Sequence, residues 1–165
     1  MILALAFSTS FVGCEQEESV ADDSGLLVQD MMGGWYVKLL YNGEDVYELG
    51  YYLLDIYNTS TNTNEIWIDD HELWPTKVKC PADPESLTFA GSGLVSQYSY
   101  VNSAGNTIIP VLDITNGKII KNGTTAPGTG TTTDSIYFEV EFSNDPGTVY
   151  TIEGYKSTSK VEDIP

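Results

Sequence analysis

The chain has 165 residues, with 24 Asp or Glu, seven Lys, no Arg and one His, so its formal net charge at pH 7 is −17. This charge argues against nucleic acid as a partner, because phosphate contacts need clustered Lys and Arg. An acidic surface instead favours solubility and repulsion from other anionic material. The part of the chain that follows the apolar start is long enough for one domain with one core.

The chain begins with an apolar run, MILALAFSTSFVG, that ends just before Cys14. A membrane-spanning helix needs about 20 apolar residues, so these thirteen residues are too short to span. Their length and small-residue ending are typical of a secretory signal peptide. The stretch FVGC resembles a bacterial lipobox, which implies cleavage before Cys14 and attachment of lipid to its thiol.

The residues after the cysteine, CEQEES, resemble the export signal that sends lipoproteins to the outer face of the outer membrane in some Gram-negative bacteria. Gln16, Glu17 and Glu18 are the matching positions. The resemblance implies a protein anchored in the outer membrane by lipid on Cys14 and facing the cell exterior. This location also leaves open a protein partner in that membrane.

These observations divide the chain into four segments. We expect a cleaved signal peptide at 1–13, a lipidated acidic spacer at 14–32, a folded domain at 33–158 and a C-terminal tail at 159–165. The spacer carries one predicted helical turn near GLLVQDMM. Cys80 is the other cysteine, so the lipidated form has no internal disulfide and its fold depends on its core.

The sequence of the folded domain predicts strands that are separated by turn residues. Residues 122–134, NGTTAPGTGTTTD, lack apolar residues to anchor them and predict a long surface loop, and Pro110 predicts an edge or a bulge inside its strand. The predicted strands, in chain order, cover residues 35–41, 51–58, 65–69, 76–80, 87–90, 94–101, 107–114, 118–122, 135–143 and 148–156.

Residues 135–143, SIYFEVEFS, show the clearest alternation of apolar and polar side chains. This alternation with period two predicts an antiparallel sheet with one wet face. About ten short strands at regular spacing predict a sandwich or a closed barrel. The inward set is predicted to be Ile136, Phe138, Val140 and Phe142, and the outward set Tyr137, Glu139 and Glu141.

Several motifs carry a resemblance to a known family. GGWYV at 33–37 has the Gly-x-Trp that opens lipocalins, and it is followed in order by YNTSTNTNEIWIDD, LWPTKVKC, SLTF, NGKIIKNG and DSIYFEVEFSNDPGTVYTIEGYK. From about Gly33 to Lys156 the chain resembles the lipocalin-like bacterial surface lipoproteins named lipid-binding putative hydrolases. The resemblance implies a single all-β domain, an antiparallel lipocalin-like barrel of about 8–10 strands, with Trp35 closing its floor.

The resemblance also implies a lipid or other small apolar ligand. Aromatic walls with a few polar groups are typical of such sites. The same residues also fill the interior of an ordinary eight-stranded barrel, so the sequence leaves an open cavity and a filled core as alternatives. The candidate ligand-binding residues are Trp35, Trp67, Trp74 and Tyr52, with Tyr36 and Tyr51 as further aromatic neighbours.

A hydrolase and an accessory protein that docks on an outer-membrane complex are the alternative functions. An esterase would use His71, with Asp69 or Asp70 and a distant Ser such as Ser96, but the chain has no Gly-x-Ser-x-Gly motif. A glycan hydrolase would use a pair of carboxylates, whose separation in space the sequence leaves open. We therefore assign no catalytic residue. Nor do we assign a cofactor or a metal site.

Two further features of these strands, a polar run and a cysteine, have ordinary structural interpretations. The acidic run Asp69 to Glu72 predicts a solvated turn rather than a metal site, because neighbours on a strand point to opposite faces. Alternation also places Cys80 away from Lys77 and Lys79, so it predicts a buried thiol.

Overall fold

The computed structural model describes residues 25–165 apart from four positions, Val46, Glu72, Leu73 and Pro75. The predicted signal peptide, the lipidation site Cys14 and the export-signal residues Gln16, Glu17 and Glu18 lie outside the described residues. Within the described part, no helix has the length and apolar character needed to cross a membrane.

Strands dominate the described chain. Short 3-10 turns lie at Gln29–Met31 and Val161–Asp163. The ten strands that the described residues form are β1 Gly33–Leu40, β2 Tyr52–Asn58, β3 Glu65–Asp70, β4 Thr76–Asp83, β5 Thr88–Val95, β6 Tyr100–Val101, β7 Thr107–Ile108, β8 Val111–Thr125, β9 Thr132–Phe142 and β10 Val149–Lys156.

Eight of these strands close into an antiparallel barrel in the order β1-β10-β9-β8-β5-β4-β3-β2. Each barrel strand therefore lies beside its neighbour in the chain, and β1 pairs with β10 to complete the circle. β6 and β7 form a separate two-stranded hairpin between β5 and β8. The predicted all-β antiparallel barrel is confirmed, and closure leaves its walls without free strand edges.

The strand boundaries differ from the prediction between 87 and 125. β5 and β8 are each continuous where the sequence predicted interruptions. The register of strand pairing shifts within β5, from Phe89 to Leu94, and within β8, from Thr115 to Lys118, and these shifts accommodate the breaks in alternation. Residues 94–101, predicted as one strand, are divided between β5 and β6. Pro110 precedes β8 rather than lying inside a strand, and its carbonyl accepts a hydrogen bond from the Ser96 N–H at 2.9 Å.

The long surface loop predicted at 122–134 is wrong. β8 continues to Thr125 and β9 begins at Thr132, so residues 126–131 alone connect the two strands. The added ladder pairs Thr with Thr, at Thr124 opposite Thr133 and Thr125 opposite Thr132. A β-branched Thr fits a pleated strand without being apolar, which is why hydrophobicity alone did not reveal this extension.

The barrel interior is apolar except for a few polar side chains at one end. The four side chains predicted to face inward from β9 are all buried, at 1–2% exposure, and alternate residues are also buried on strands such as β1 and β2. Cys80 is also fully buried in the core, and burial raises the pKa of its thiol to about 12. Each fully buried aliphatic or aromatic side chain stabilises the fold by roughly 1.5–3 kcal/mol relative to an exposed one.

One end of the barrel is sealed by the chain that leads into β1. Val28 and Met31 of the 3-10 turn are fully buried, next to Trp35 near the start of β1. The Lys156 ammonium lies 5.6 Å from the Trp35 ring centroid. We call this the Trp35 end. Residues 25–32, assigned to the spacer from the sequence, thus include part of the core, and the predicted helical turn is present there.

Candidate functional site

An aromatic cluster closes the opposite end of the barrel, which we call the Trp74 end. The Trp74 ring stacks on Phe142, with 4.6 Å between centroids and 12° between planes. Tyr150 and Tyr47 complete the cluster, and their hydroxyls lie 2.9 Å apart. We call these four side chains the aromatic cap. Phe142 is 1% exposed and Tyr47 is 46% exposed, so the cap runs from the core to solvent.

The aromatic cap is held by a few hydrogen bonds to the loop between β9 and β10. The Tyr150 hydroxyl donates to Asp145 Oδ2 at 2.6 Å, and Trp74 Nε1 donates to Asn144 Oδ1 at 3.3 Å. Burial, and then the bond to Asp145, raise the pKa of Tyr150. The cap therefore combines Phe142 and Tyr150, from the adjoining ends of β9 and β10, with Tyr47 and Trp74 from two separate loops.

Polar side chains from three adjacent strands lie inside the barrel at the same end. Tyr52 begins β2, Asp70 ends β3 and Thr76 begins β4, and they are 9%, 3% and 5% exposed. We call these three residues the polar arc. The Tyr52 hydroxyl has no hydrogen-bond partner in the part of the chain that the structure describes. Burial and the Asp70 charge raise the pKa of Tyr52.

The described residues leave little space inside the barrel beneath the aromatic cap. The cavity that they line there measures about 10 Å³, which is at the limit for one water molecule. Where described residues line the interior, it therefore matches the filled-core alternative left open by the sequence. A ligand larger than water must therefore move side chains to enter. The cavity lies beside Asp70 and Thr76 and is otherwise lined by Leu54, Ile68, Val78, Leu112, Ile114, Phe138, Val140, Phe142 and Ile152.

A second polar cluster lies on the outer wall, around His71. His71 Nε2 lies 2.9 Å from Asp55 Oδ2, and Nδ1 lies 3.4 Å from Asp69 Oδ1. Asp69, only 3% exposed, also accepts hydrogen bonds from the Tyr57 and Tyr98 hydroxyls at 2.8 and 3.0 Å. The hydrogen bond to Asp55, followed by the charge of Asp69, raises the pKa of His71 against the opposing effect of burial.

This outer cluster differs from a nucleophilic triad. A triad histidine needs one ring nitrogen facing the nucleophile and the other facing an acid, whereas both nitrogens of His71 face carboxylates. Ser96 Oγ instead accepts hydrogen bonds from the backbone N–H groups of Lys77 and Tyr98, at 3.2 and 3.0 Å. Asp69 and Asp70 lie on opposite faces of β3, one on the outer wall and one inside, so they do not converge on one ion.

The outer wall also carries an open groove of about 660 Å³ where β4, β5, β8 and β9 meet. Its polar groups are engaged with one another. Glu139 accepts hydrogen bonds from Asn116 at 2.8 Å and from Tyr137 at 2.9 Å. The Lys118 ammonium lies 4.9 Å from the Tyr137 ring centroid. The groove is therefore a weaker candidate than the Trp74 end, where the Tyr52 hydroxyl has no partner among the described residues.

Residues 21–160 match the model of a protein family described as lipid-binding putative hydrolase. The chain belongs to this family. Among curated proteins, no match was found. A family that binds lipid fits a closed barrel with an apolar interior. Among the described residues around His71, the geometry differs from that of a hydrolase triad.

In this family member, the structure separates the four ligand-binding residues expected from the sequence. Tyr52 and Trp74 come together at the Trp74 end, whereas Trp35 is fully buried at the other end. Trp67 lies on the outer wall between Lys77 and Lys79, each 5.5 Å from its ring.

Sequence reasoning did not assign the remaining members of the Trp74 end, which are Tyr47, Thr76, Asp145 and Tyr150. The alternation along β9 and β10 marks Phe142 and Tyr150 as inward-facing, but it carries no signal of which loops meet them.

Proposed function

We propose that this member of the lipid-binding family takes up a lipid or other small apolar ligand through the Trp74 end of its barrel. The observation that carries the proposal is the aromatic cap, in which Trp74 stacks directly on the buried Phe142. Aromatic side chains next to an apolar interior and a few polar groups are the usual lining of a small-molecule site. The ligand's apolar part would replace Trp74 on Phe142 and extend toward the core.

Comparison of the two barrel ends supports this choice of entrance. The Trp35 end is covered by a backbone segment whose Val28 and Met31 are fully buried. Asn62 also ties this segment to the β2–β3 turn, through bonds to the Gly25 carbonyl and the Leu27 N–H. The Trp74 end is covered by single side chains that include the 46%-exposed Tyr47. Rotation of side chains requires far less disruption than removal of a packed segment.

We also propose that the protein is held at the outer membrane by lipid on Cys14 and faces the cell exterior. The support is the resemblance of FVGC to a lipobox and of CEQEES to an export signal. Because the described chain begins at the Trp35 end, an anchor on Cys14 would attach there. The Trp74 end would then point away from the membrane.

Tryptophan fluorescence tests the site. We expect 1-dodecanol to change the emission of the purified protein, because it displaces Trp74 from Phe142. Trp74→Phe should abolish that emission change while native mass spectrometry still detects the bound alcohol. The matched control is Trp67→Phe, which alters an outer-wall indole and should keep the full emission change.

Two results would count against the proposal. If dodecanol, dodecylamine and dodecanoate all fail to bind in native mass spectrometry, the protein takes up no simple alkyl ligand and the proposed function is wrong. If the emission change disappears in Trp67→Phe and persists in Trp74→Phe, the ligand binds at the outer wall instead.

A further inference from the structure

We propose that the ligand is a lipid with a non-anionic, hydrogen-bond-donating head, which the polar arc of Tyr52, Asp70 and Thr76 recognises. This inference rests on the proposed function and names the chemical class of its ligand. With the apolar chain on Phe142 and toward the core, the head would lie at the inner ends of β2, β3 and β4. The polar arc occupies those strand ends.

The charges around the Trp74 end set the sign of the head group. Asp70 is inside the barrel, and Asp145 lies at the rim, bonded to Tyr150. The loops at this end, residues 41–51, 71–75, 96–110 and 143–148, contain no Lys or Arg in the sequence. His71 also lies in one of these loops, but both of its ring nitrogens face the outer-wall carboxylates of Asp55 and Asp69. An anionic head would therefore be desolvated beside carboxylates without a cation directed at it, which is strongly unfavourable.

The lysines nearest to this end in sequence have partners on the outer wall. The Lys77 ammonium lies 3.5 Å from Asp69, and the Lys38 ammonium lies 4.6 Å from the Tyr51 ring centroid. Lys156, at the other end of the barrel, lies over Trp35. All seven lysines fall within the described residues. None is placed to neutralise a head group at the polar arc.

Tyr52 supplies the independent evidence that something binds here. Its hydroxyl is buried and has no partner within the described part of the chain, and such a buried polar group costs free energy. A hydroxyl or ammonium head could donate to the Tyr52 oxygen and to the Asp70 carboxylate. The small cavity beside Asp70 and Thr76 is where that head would begin to find room.

A matched ligand series tests the inference. Dodecanol, dodecylamine and dodecanoate share one chain and carry a neutral, a cationic and an anionic head at about pH 7.5. We expect the full-length protein to bind dodecanol and dodecylamine about tenfold or more tighter than dodecanoate, because the dodecanoate carboxylate would lie against the like charge of Asp70. Asp70→Asn should raise dodecanoate affinity, and Glu153→Gln, on the exposed outer wall, should leave the series unchanged.

Tyr52→Phe provides a variant that should fold well, because it removes a hydroxyl without a partner in the described structure. We expect it to weaken dodecanol binding several-fold and to leave dodecanoate unaffected. Equal affinities across the series, or a preference for dodecanoate, would overturn the inference while leaving alkyl binding intact. Absence of binding by all three ligands would instead overturn the proposed function.

Discussion

At the scale of single residues, His71 compensates an unfavourable pairing of charges. Asp55 on β2 lies directly opposite Asp69 on β3, and like charges in this position destabilise a sheet. His71 contacts both carboxylates, at 2.9 and 3.4 Å. The Lys77 ammonium adds a second positive charge at 3.5 Å from Asp69. The imidazolium form of His71 is therefore favoured in the folded protein.

This arrangement predicts that the free energy of unfolding depends on pH through His71. Because the chain has a single histidine, its titration is easy to measure. Because the pKa of His71 is raised above 6.5 by folding, its stabilising contribution is fully present below about pH 6.5 and disappears as the pH rises through the folded-state value. Proton NMR of the imidazole should give a pKa above 6.5, and the free energy of unfolding should fall as the pH rises from about 6.5 through that folded-state pKa.

Asp55→Asn should lower the pKa of His71 toward its ordinary value and flatten the pH dependence of stability. The matched control is Asp113→Asn, which removes a carboxylate bound to Ser92 and Gly93 elsewhere on the wall. An unchanged His71 pKa in Asp55→Asn would show that the close contact at 2.9 Å does not control its protonation.

At the scale of elements, the β1–β10 pairing closes the barrel and depends on a glycine. Gly154 of β10 lies opposite Val37 of β1 and Ile136 of β9. A Cβ at this position would lie 2.0 Å from the Tyr36 carbonyl oxygen and 2.7 Å from the Val37 Cα. Because these are backbone atoms, they can move away only if the strands separate.

Gly154→Ala should therefore destabilise the barrel by about 2 kcal/mol or more, in the range of severe overpacking. Urea denaturation gives the midpoint and the slope from which the free energy of unfolding follows. Glu153→Ala, the exposed neighbour on the same strand, should change stability by about 0.5 kcal/mol or less. Equal stability of the two variants would mean that the closing pair of strands tolerates wider spacing.

Another element, the C-terminal tail, joins separate parts of the wall. Asp163 accepts hydrogen bonds from the Thr129 N–H at 2.7 Å and from the Thr158 hydroxyl at 2.5 Å. The Tyr155 hydroxyl donates to the Asp163 carbonyl at 2.8 Å. Residues 159–165 thus contribute contacts that hold the β8–β9 connection against β10.

At the scale of the whole molecule, charge repulsion opposes folding. The formal net charge of −17 comes from 24 acids against seven lysines, so most carboxylates cannot have a lysine partner. Compaction brings these charges together and lowers stability through self-repulsion. At an ionic strength of 0.1 M the screening length is about 10 Å, which is comparable with the spacing of charges on a small domain.

We expect the thermal unfolding midpoint to rise by several degrees between about 10 mM and 0.3 M NaCl, because repulsion is screened. Tetramethylammonium chloride at equal ionic strength should give the same rise if screening, and not specific cation binding, is responsible. A midpoint that falls with salt would mean that ion pairs such as Lys121 with Asp30 outweigh the repulsion.

The sequence predicted the inward and outward sides of β9 because those residues alternate cleanly between apolar and polar. It predicted the buried thiol of Cys80 for the same reason. The strand extension through Thr124 and Thr125 was missed because its pairing is with Thr residues of β9 and not with an apolar core. Tyr52 was assigned from the sequence, but the polar arc as a unit was missed because Tyr52, Asp70 and Thr76 lie on three different strands and no local pattern links them.

By itself, the sequence determined that this chain forms short antiparallel strands, because alternation and turn residues act over short segments. The choice of a barrel over a sandwich came from the resemblance to the family. The tertiary structure alone decided how little space the described residues leave inside the barrel, that Trp74 stacks on Phe142, and that Tyr52 and Asp70 share the inside of one end. The space left inside the barrel and the loops that meet at its end are both set when the barrel closes. Closure requires strands from the whole domain to pair, so no short segment determines it.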